Sequence, residues 1–328
     1  MVQVLVTGGT GFIGPRLVSQ LVRSGQRVRC LARAPRRLPA GVEAVRGDLH
    51  DAGAIRSALA GVDIVYHLAG ATLVRHPLVY RATNARGTHR LAQACAAMAR
   101  PPVVVYLSSL AAAGPSTPGR PRSEDDPPSP VSRYGQSKLI GERALHAVSP
   151  HVPVSVIRSP GVFGPGDPNF YKLIRAARGG VLAGPRQLDA QLSWIYVDDL
   201  VDALILAAER GTRLQPTGSQ GVYNAALPET ASLVEAAHIA ARLQGRPRVR
   251  VVYLPGAVCL FGGHAIDLWN ALTGRPRLVT RDKIREGLAG TWICRVDRAW
   301  DELGHRCEVG LEEGIRRSIV WYRERGWL

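Results

Sequence analysis

The chain has 328 residues, 46% of them apolar and 21% charged, which is ample for a large α/β core with a smaller partner and too apolar for extended disorder. Its formal charge is +16, but only three of the 42 basic residues are lysines (Lys138, Lys172, Lys283), the arginines are scattered, and aromatics are 6%, so nothing reads as a basic stripe with stacking rings and no nucleic acid is expected. Cys30, Cys95, Cys259, Cys294 and Cys307 are odd in number, widely spaced and lack a C-x-x-C pair, which argues against a disulfide framework or a zinc site; no metal is expected.

The first residues run directly into a strand-like segment, 2–6, so no secretory leader is predicted and a cytoplasmic location is expected. Further short apolar runs at 27–31, 42–45, 63–67, 103–107 and 154–157 read as buried parallel strands. Between them the helical patterns lie at 12–24, 52–60, 81–99 and 133–148. This alternation predicts βαβ units wound into a Rossmann-type doubly wound parallel sheet. Segment 115–132, rich in Pro and Ser, reads as a loop at an active-site rim. Beyond Val162 the pattern becomes mixed α and β, with a further strand at 192–197 and a helix from Asp198. Residues 1–164 plus 192–226 are therefore assigned to a dinucleotide-binding domain. Residues 165–191 plus 227–328 are assigned to a smaller, mixed α/β substrate domain. The apolar stretches 251–261 and 265–272 are too short to span a bilayer. They read as packing of the smaller domain, as a lid over an apolar substrate, or as a helix skimming a membrane surface.

The first strand ends in Thr7-Gly8-Gly9-Thr10-Gly11-Phe12-Ile13-Gly14, a G-x-x-G-x-x-G pattern between strand and helix. Gly8 permits the sharp turn, Gly11 lets backbone approach a pyrophosphate, and Gly14 allows close packing. The anion then lies on the helix N-terminus with Thr10, Phe12 and Ile13 beside it. An NAD site ordinarily carries a carboxylate at the end of the second strand; here Ala32 and Arg33 stand there. Arg33, helped by Arg36 or Arg37, suits a ribose 2′-phosphate, so NADP(H) is preferred, with NAD(H) as the alternative. Asp48, followed by Leu49, is placed to accept from the adenine amino group, to cap the next helix, or both.

Tyr134 and Lys138 stand four apart and share one helix face. A phenol ionises near about 10, and a nearby ammonium lowers that value, which makes the pair a proton relay. Together with Gly8, Gly11 and Gly14, Gly47-Asp48-Leu49, His67-Leu68-Ala69-Gly70, Asn84, Ser108-Ser109, the Tyr134–Lys138 pair, Arg158-Ser159-Pro160 and Tyr196-Val197-Asp198-Asp199, it makes an ordered set that resembles the extended short-chain dehydrogenase/reductases. The resemblance implies a catalytic set of Ser109, Tyr134 and Lys138, with Lys138 also on the nicotinamide ribose. Family members carry the serine five residues before a Gly or Pro, which selects Ser109 through Gly114 and leaves Ser108 as runner-up. The resemblance further places Leu68, Ala69 and Gly70 on the adenosine side, Asn84 as a brace, and segment 158–162, with Pro160 and Val162, against the nicotinamide. It implies a homodimer formed through helices 81–99 and 133–148. Asp198 and Asp199 are read as ties between the two parts, with Asp198 also a helix cap.

Sugar-nucleotide epimerases of this class resemble R-x-x-N-x-x-G-P, whereas Gly161 takes the place of the Asn here. The R-x-P form resembles the dihydroflavonol-reductase and 3β-hydroxysteroid-dehydrogenase branches. The leading expectation is thus hydride transfer to or from a bulky, mostly apolar or cyclic ketone. The alternatives are an NAD-dependent nucleotide-sugar epimerase or dehydratase, and a non-catalytic dinucleotide sensor.

Overall fold

The computed structural model describes residues 1–35, 38–72, 74, 76, 78–273 and 281–328, and of 265 and 267–273 the backbone alone. In chain order the first half runs β1 (Gln3–Thr7), α1 (Gly14–Arg23), β2 (Arg27–Ala32), β3 (Glu43–Arg46), α2 (Ala52–Leu59), β4 (Ile64–His67), α3 (Leu78–Tyr80), a π-helical turn (Arg81–Gly87), α4 (Thr88–Ala96), β5 (Val103–Ser109), α5 (Leu110–Ala113) and α6 (Arg133–Val148). It continues through β6 (Val154–Ser159), β7 (Gly161–Phe163), α7 (Pro168–Gly179), β8 (Val181–Gly184), β9 (Leu192–Tyr196), α8 (Val197–Glu209), β10 (Val222–Asn224), β11 (Thr230–Ala231), α9 (Leu233–Arg242), β12 (Arg250–Tyr253), α10 (Gly256–Thr273), α11 (Arg281–Leu288) and α12 (Leu311–Glu324).

Seven strands form one parallel sheet in the order β10-β6-β5-β4-β1-β2-β3. The winding reverses between β1 and β4, the point where such sheets open a crevice at the carboxyl ends of their strands. The apolar runs make the two faces. Val4, Val6, Val105 and Ile157 pack with Leu17, Val18 and Leu21 of α1 and with Leu200, Val201 and Leu204 of α8. Leu5, Val65, Val104 and Val156 pack with Ile55 and Leu59 of α2, Leu91 of α4 and Leu145 of α6. Each fully buried aliphatic side chain adds roughly 1.5–3 kcal/mol over its exposed state.

Three local expectations change. The strand at 192–197 pairs with β7 and β11 in a separate three-stranded sheet instead of joining the large one, although α8 and β10 from the same segment do join its core and edge. Asp51, not Asp48, caps α2, its side chain accepting from the Ala54 N–H at 2.9 Å. Asp48 instead accepts from the His50 N–H at 2.7 Å. Asp198 does not cap α8, which starts from Tyr196 without a side-chain cap. Asp198 pairs with Arg16 of α1 at 2.7 Å, while Asp199 accepts from the Glu308 and Val309 N–H groups, which fastens the C-terminal segment to α8.

Among the described residues no helix is long and apolar enough to cross a membrane. The apolar stretch 251–261 forms β12, paired with β8, and the start of α10, where Val258 and Phe261 are exposed.

Helix α6 lies tight on α5: a Cβ at Gly135 would stand 2.2 Å from the Ala111 carbonyl oxygen. Its middle is held by a buried cluster. Arg158 of β6 donates through Nε and Nη2 to Glu142 at 3.1 and 2.7 Å, and Ser108 Oγ donates to the same carboxylate at 2.5 Å. Removing one partner leaves the other charge buried and uncompensated. Glu142→Ala should therefore lose about 3–5 kcal/mol in urea denaturation, and replacing Glu142 and Arg158 together by Met should recover most of it. A loss below about 1 kcal/mol would mean that the pair contributes little.

Candidate active site

The ends of β1, β4, β5 and β6 meet at one edge of the sheet, because the strands are parallel and in register: Thr7 lies opposite His67, His67 opposite Tyr106, and Ser109 opposite Ser159. The Gly-rich turn sits on that edge. Gly8 has φ +79, and a Cβ there would stand 2.7 Å from the Ala69 nitrogen. Gly14 closes the turn on itself, since its Cβ would fall 2.3 Å from the Gly8 carbonyl oxygen. Gly11 is exposed, its nearest such neighbour 3.4 Å away, and leaves an open face. No side chain caps the N-terminus of α1 and no acidic residue stands in its first turn. An uncapped helix start facing an open glycine is a fit for an anionic pyrophosphate. Phe12, Ile13 and Val162 are half-buried and pack together at the seam with the small-sheet core, and Pro160 precedes Val162 between β6 and β7.

At the adenosine end, Ala32 is buried with its carbonyl accepting from the Gly47 N–H at 3.2 Å, and Arg33 beside it is exposed. Arg36 and Arg37 lie outside the described residues. Asp48 is half-buried, but the Leu49 side chain is buried in the core, where a Cβ at Gly87 would touch it at 2.9 Å, so that side chain faces protein. Leu68 and Ala69 are half-buried and Gly70 is exposed, near the Lys138 ammonium: a Cβ at Gly70 would be 3.6 Å from Nζ.

Asn84, on the π-helical turn, is buried and braces this edge. Its Oδ1 accepts from the Ala71 N–H at 2.7 Å, and its Nδ2 donates to the Ala71 carbonyl at 3.0 Å and to Ser137 Oγ of α6 at 2.9 Å. His67 is braced likewise. Thr88 Oγ1 donates its proton to the Asn84 carbonyl at 2.7 Å, so it accepts from His67 Nε2 at 2.9 Å, and His67 Nδ1 accepts from Thr7 Oγ1 at 2.7 Å. This places the imidazole proton on Nε2.

The two adjacent serines part company. Ser108 is buried on Glu142, whereas Ser109 lies beside the Tyr134 phenol and caps α5 through the Ala111 N–H. Arg158, expected to face the nicotinamide, instead turns into the protein as the partner of Glu142. Lys138 Nζ donates to the Leu107 carbonyl at 2.6 Å and lies 4.3 Å from the Tyr106 ring centroid. Burial holds its ammonium down to about 7, against the opposing pull of Glu142. Burial pushes the Tyr134 phenol up, while Lys283 and then Ser109 draw it back.

Tyr134 belongs to an apolar cluster with Val74, Tyr80 and Ala111, against which Ala71 and Trp292 pack. Trp292 and the α11 residues Asp282, Lys283 and Glu286 come close to it from far along the chain, and sequence reading misses all four. The scarcity of lysine, which singles out Lys138, is the one signal that marks Lys283 as well.

A dinucleotide cradle at the switch of a doubly wound sheet, with Ser109, Tyr134 and Lys138 on its rim, defines an NAD(P)-dependent enzyme of the short-chain dehydrogenase/reductase kind. The chain belongs to the NAD dependent epimerase/dehydratase family, whose model matches residues 4–226. It is 31% identical to a ceramide reductase of Caulobacter vibrioides over 99% of this chain and 96% of that one. It is 29% identical to a 2-alkyl-3-oxoalkanoate reductase of Stenotrophomonas maltophilia over 96% of this chain and 98% of the other. Among solved structures it is similar to MoeE5 in complex with UDP-glucuronic acid and NAD, with 30% identity, a TM-score of 0.76, and coverage of 98% of this chain and 99% of that one.

The His67 brace carries a pH signature. Burial, and secondarily Lys138, lowers the imidazole to about 3, whereas in the unfolded chain it titrates near about 6.5. Below pH 6.5 the unfolded state takes up a proton that the native state refuses. Stability from this group is therefore complete above about 6.5 and is lost towards pH 3, by about 1.4 kcal/mol per pH unit. Urea denaturation between about pH 5.5 and 4 should show that extra slope in wild type relative to His67→Gln. Equal slopes would mean that the imidazole is protonated in place.

Proposed function

We propose that the chain is an NADP(H)-dependent ketone/alcohol oxidoreductase for a bulky, mostly apolar or cyclic small molecule. The observation that carries this reading is the apolar wall formed at Tyr134 by Val74, Tyr80, Ala111 and Trp292. Such a wall suits a hydrocarbon body whose one polar group meets Ser109 and Tyr134. The names of the two nearly full-length relatives, both reductases, support it. On this reading Gly8, Thr10, Gly11, Phe12, Ile13 and Gly14 hold the pyrophosphate, Asp48 and the Leu49 backbone the adenine, and Leu68, Ala69 and Gly70 the adenosine side. Asn84 braces the cradle, Pro160 and Val162 flank the nicotinamide, and Lys138 meets its ribose. A bound nicotinamide supplies or accepts the hydride. Ser109 polarises the substrate oxygen, and Tyr134 gives that oxygen its proton or takes it away. The same reading includes a cytoplasmic homodimer paired through α4 and α6, whose exposed residues include Ile140 among His89, Gln93 and Arg143. Segments 165–191 and 227–328 serve as its substrate-binding part.

A nucleotide-sugar epimerase or dehydratase is the second reading, favoured by the likeness to MoeE5 bound to UDP-glucuronic acid and NAD. Against it, Gly161 stands where such enzymes resemble one another in carrying Asn, and a Cβ there would meet the Trp194 ring at 3.2 Å. Purified protein that releases NAD supports the second reading; protein that oxidises NADPH with apolar ketones supports the first. In that assay Tyr134→Phe should cut turnover about 10²–10⁴-fold while leaving the NADPH dissociation constant nearly unchanged. Retention of more than about a tenth of the rate would remove Tyr134 from the chemistry.

Cofactor preference rests on the end of β2. A carboxylate there would bond a 2′-hydroxyl and repel a 2′-phosphate, whereas Ala32 does neither and Arg33 can pair with the phosphate. Such a charge-assisted contact is worth roughly 1.5–3 kcal/mol, or about ten- to a hundred-fold in affinity. Calorimetry should find NADPH bound tighter than NADH by that factor, with the order reversed in Ala32→Asp/Arg33→Ala. Equal affinities in wild type would make Arg33 an ordinary surface residue.

A further inference from the structure

Helix α11 is docked on the first turn of α6 by three hydrogen bonds and braced by a fourth from Trp292. The Asp282 carboxylate accepts from the N–H groups of Arg133 and Tyr134 at 2.9 and 3.0 Å. Glu286 Oε1 accepts from Ser132 Oγ at 2.5 Å, and the Glu286 carbonyl accepts from Trp292 Nε1 at 2.9 Å. The dock lays Lys283 over the phenol: its Nζ stands 4.6 Å from the Tyr134 ring centroid and 2.5 Å from Glu286 Oε2. Lys138, one turn along α6, is directed elsewhere, to the Leu107 carbonyl and the Tyr106 face. Ser109 from the β5 end, Tyr80 from α3 with its ring 5.8 Å away, and Asp282 and Glu286 from α11 complete the polar and charged surroundings of Tyr134.

We propose that Lys283 is a positioning residue for Tyr134: its ammonium, laid over the ring by α11, stabilises the phenolate, so the proton relay is complete only while α11 is docked on α6. This rests on the reading of Tyr134 as the acid–base group. In the reductive direction the Tyr134 O–H bond breaks and a new O–H bond forms on the substrate oxygen, as hydride reaches the adjoining carbon. A negative phenolate remains. A cation over the face of the ring is attracted to the neutral phenol and more strongly to the anion, so its effect grows along the reaction. Glu286, paired with that ammonium, opposes it. Lys283 draws the phenol down from its burial-raised value.

The test is a pH titration of tyrosinate ultraviolet absorbance on the full chain saturated with NADP⁺. Subtracting Tyr134→Phe from each protein isolates the Tyr134 signal. Lys283→Met should move that titration to higher pH by about one unit, tenfold in proton affinity, while Lys283→Arg leaves it in place. Glu286→Gln should move it to lower pH, a shift of opposite sign that loosening of α11 cannot produce and that is readable even if Lys283→Met folds poorly. A Tyr134 titration unmoved in Lys283→Met, or moved upward in Glu286→Gln, overturns the role of Lys283. That outcome is separate from failure of the acid–base reading, which would appear as turnover retained in Tyr134→Phe.

Discussion

The placement of helix α6 depends on one buried carboxylate. Glu142 receives two hydrogen bonds from Arg158 of β6 and one from Ser108 of β5, so a single residue ties the helix to two strands at the middle of the sheet. Burying an ion pair is costly, and a pair of this kind persists where its geometry sets a position that apolar packing alone leaves loose. Neighbouring residues of a strand point to opposite faces. With Ser108 committed to Glu142 on one side of β5, Ser109 points the other way at the strand's end, where it caps α5. Two adjacent serines thus acquire separate tasks from the alternation of one strand. Asn84 adds a second tie to the same helix through Ser137, and Asp282 a third at its first turn.

The seven-stranded sheet is legible in the sequence because parallel strands are buried on both faces and appear as unbroken Val, Ile and Leu runs. The Gly-rich turn and the four-residue spacing of Tyr134 and Lys138 are legible because both are local. What escapes reading is non-local. Asp48 and Asp51 are equally good caps by type, and only the path of the chain after β3 selects Asp51. Arg158 lies in a stretch expected to face the cofactor, yet strand alternation turns its side chain to Glu142. Leu192–Tyr196 has the composition of a core strand but pairs with β7 and β11, while β10 takes the edge of the large sheet. The docking of α11 joins residues about 150 positions apart, and no pattern of period or composition reports such a contact.

The two lysines near Tyr134 differ in surroundings, and the difference bears on how one phenol can serve both directions of a redox reaction. Lys138 is buried, and its ammonium is held down to about 7, against a carbonyl and an aromatic face. A group poised there gains and loses a proton readily near neutrality, which suits it to hand protons on. Lys283 keeps its charge, because Glu286 lies 2.5 Å away and offsets the cost of its partial burial. A fixed cation over the ring stabilises the phenolate without exchanging protons with it. On the proposed reading the relay therefore needs both: a titrating amine below, on the helix that carries the tyrosine, and a permanent ammonium above, on a helix that arrives from the other end of the chain. That division also explains why α11 must carry Asp282 beside Lys283. The carboxylate fastens to the N–H groups of the helix start that holds Tyr134, so the cation reaches the ring only when the helix start is correctly formed.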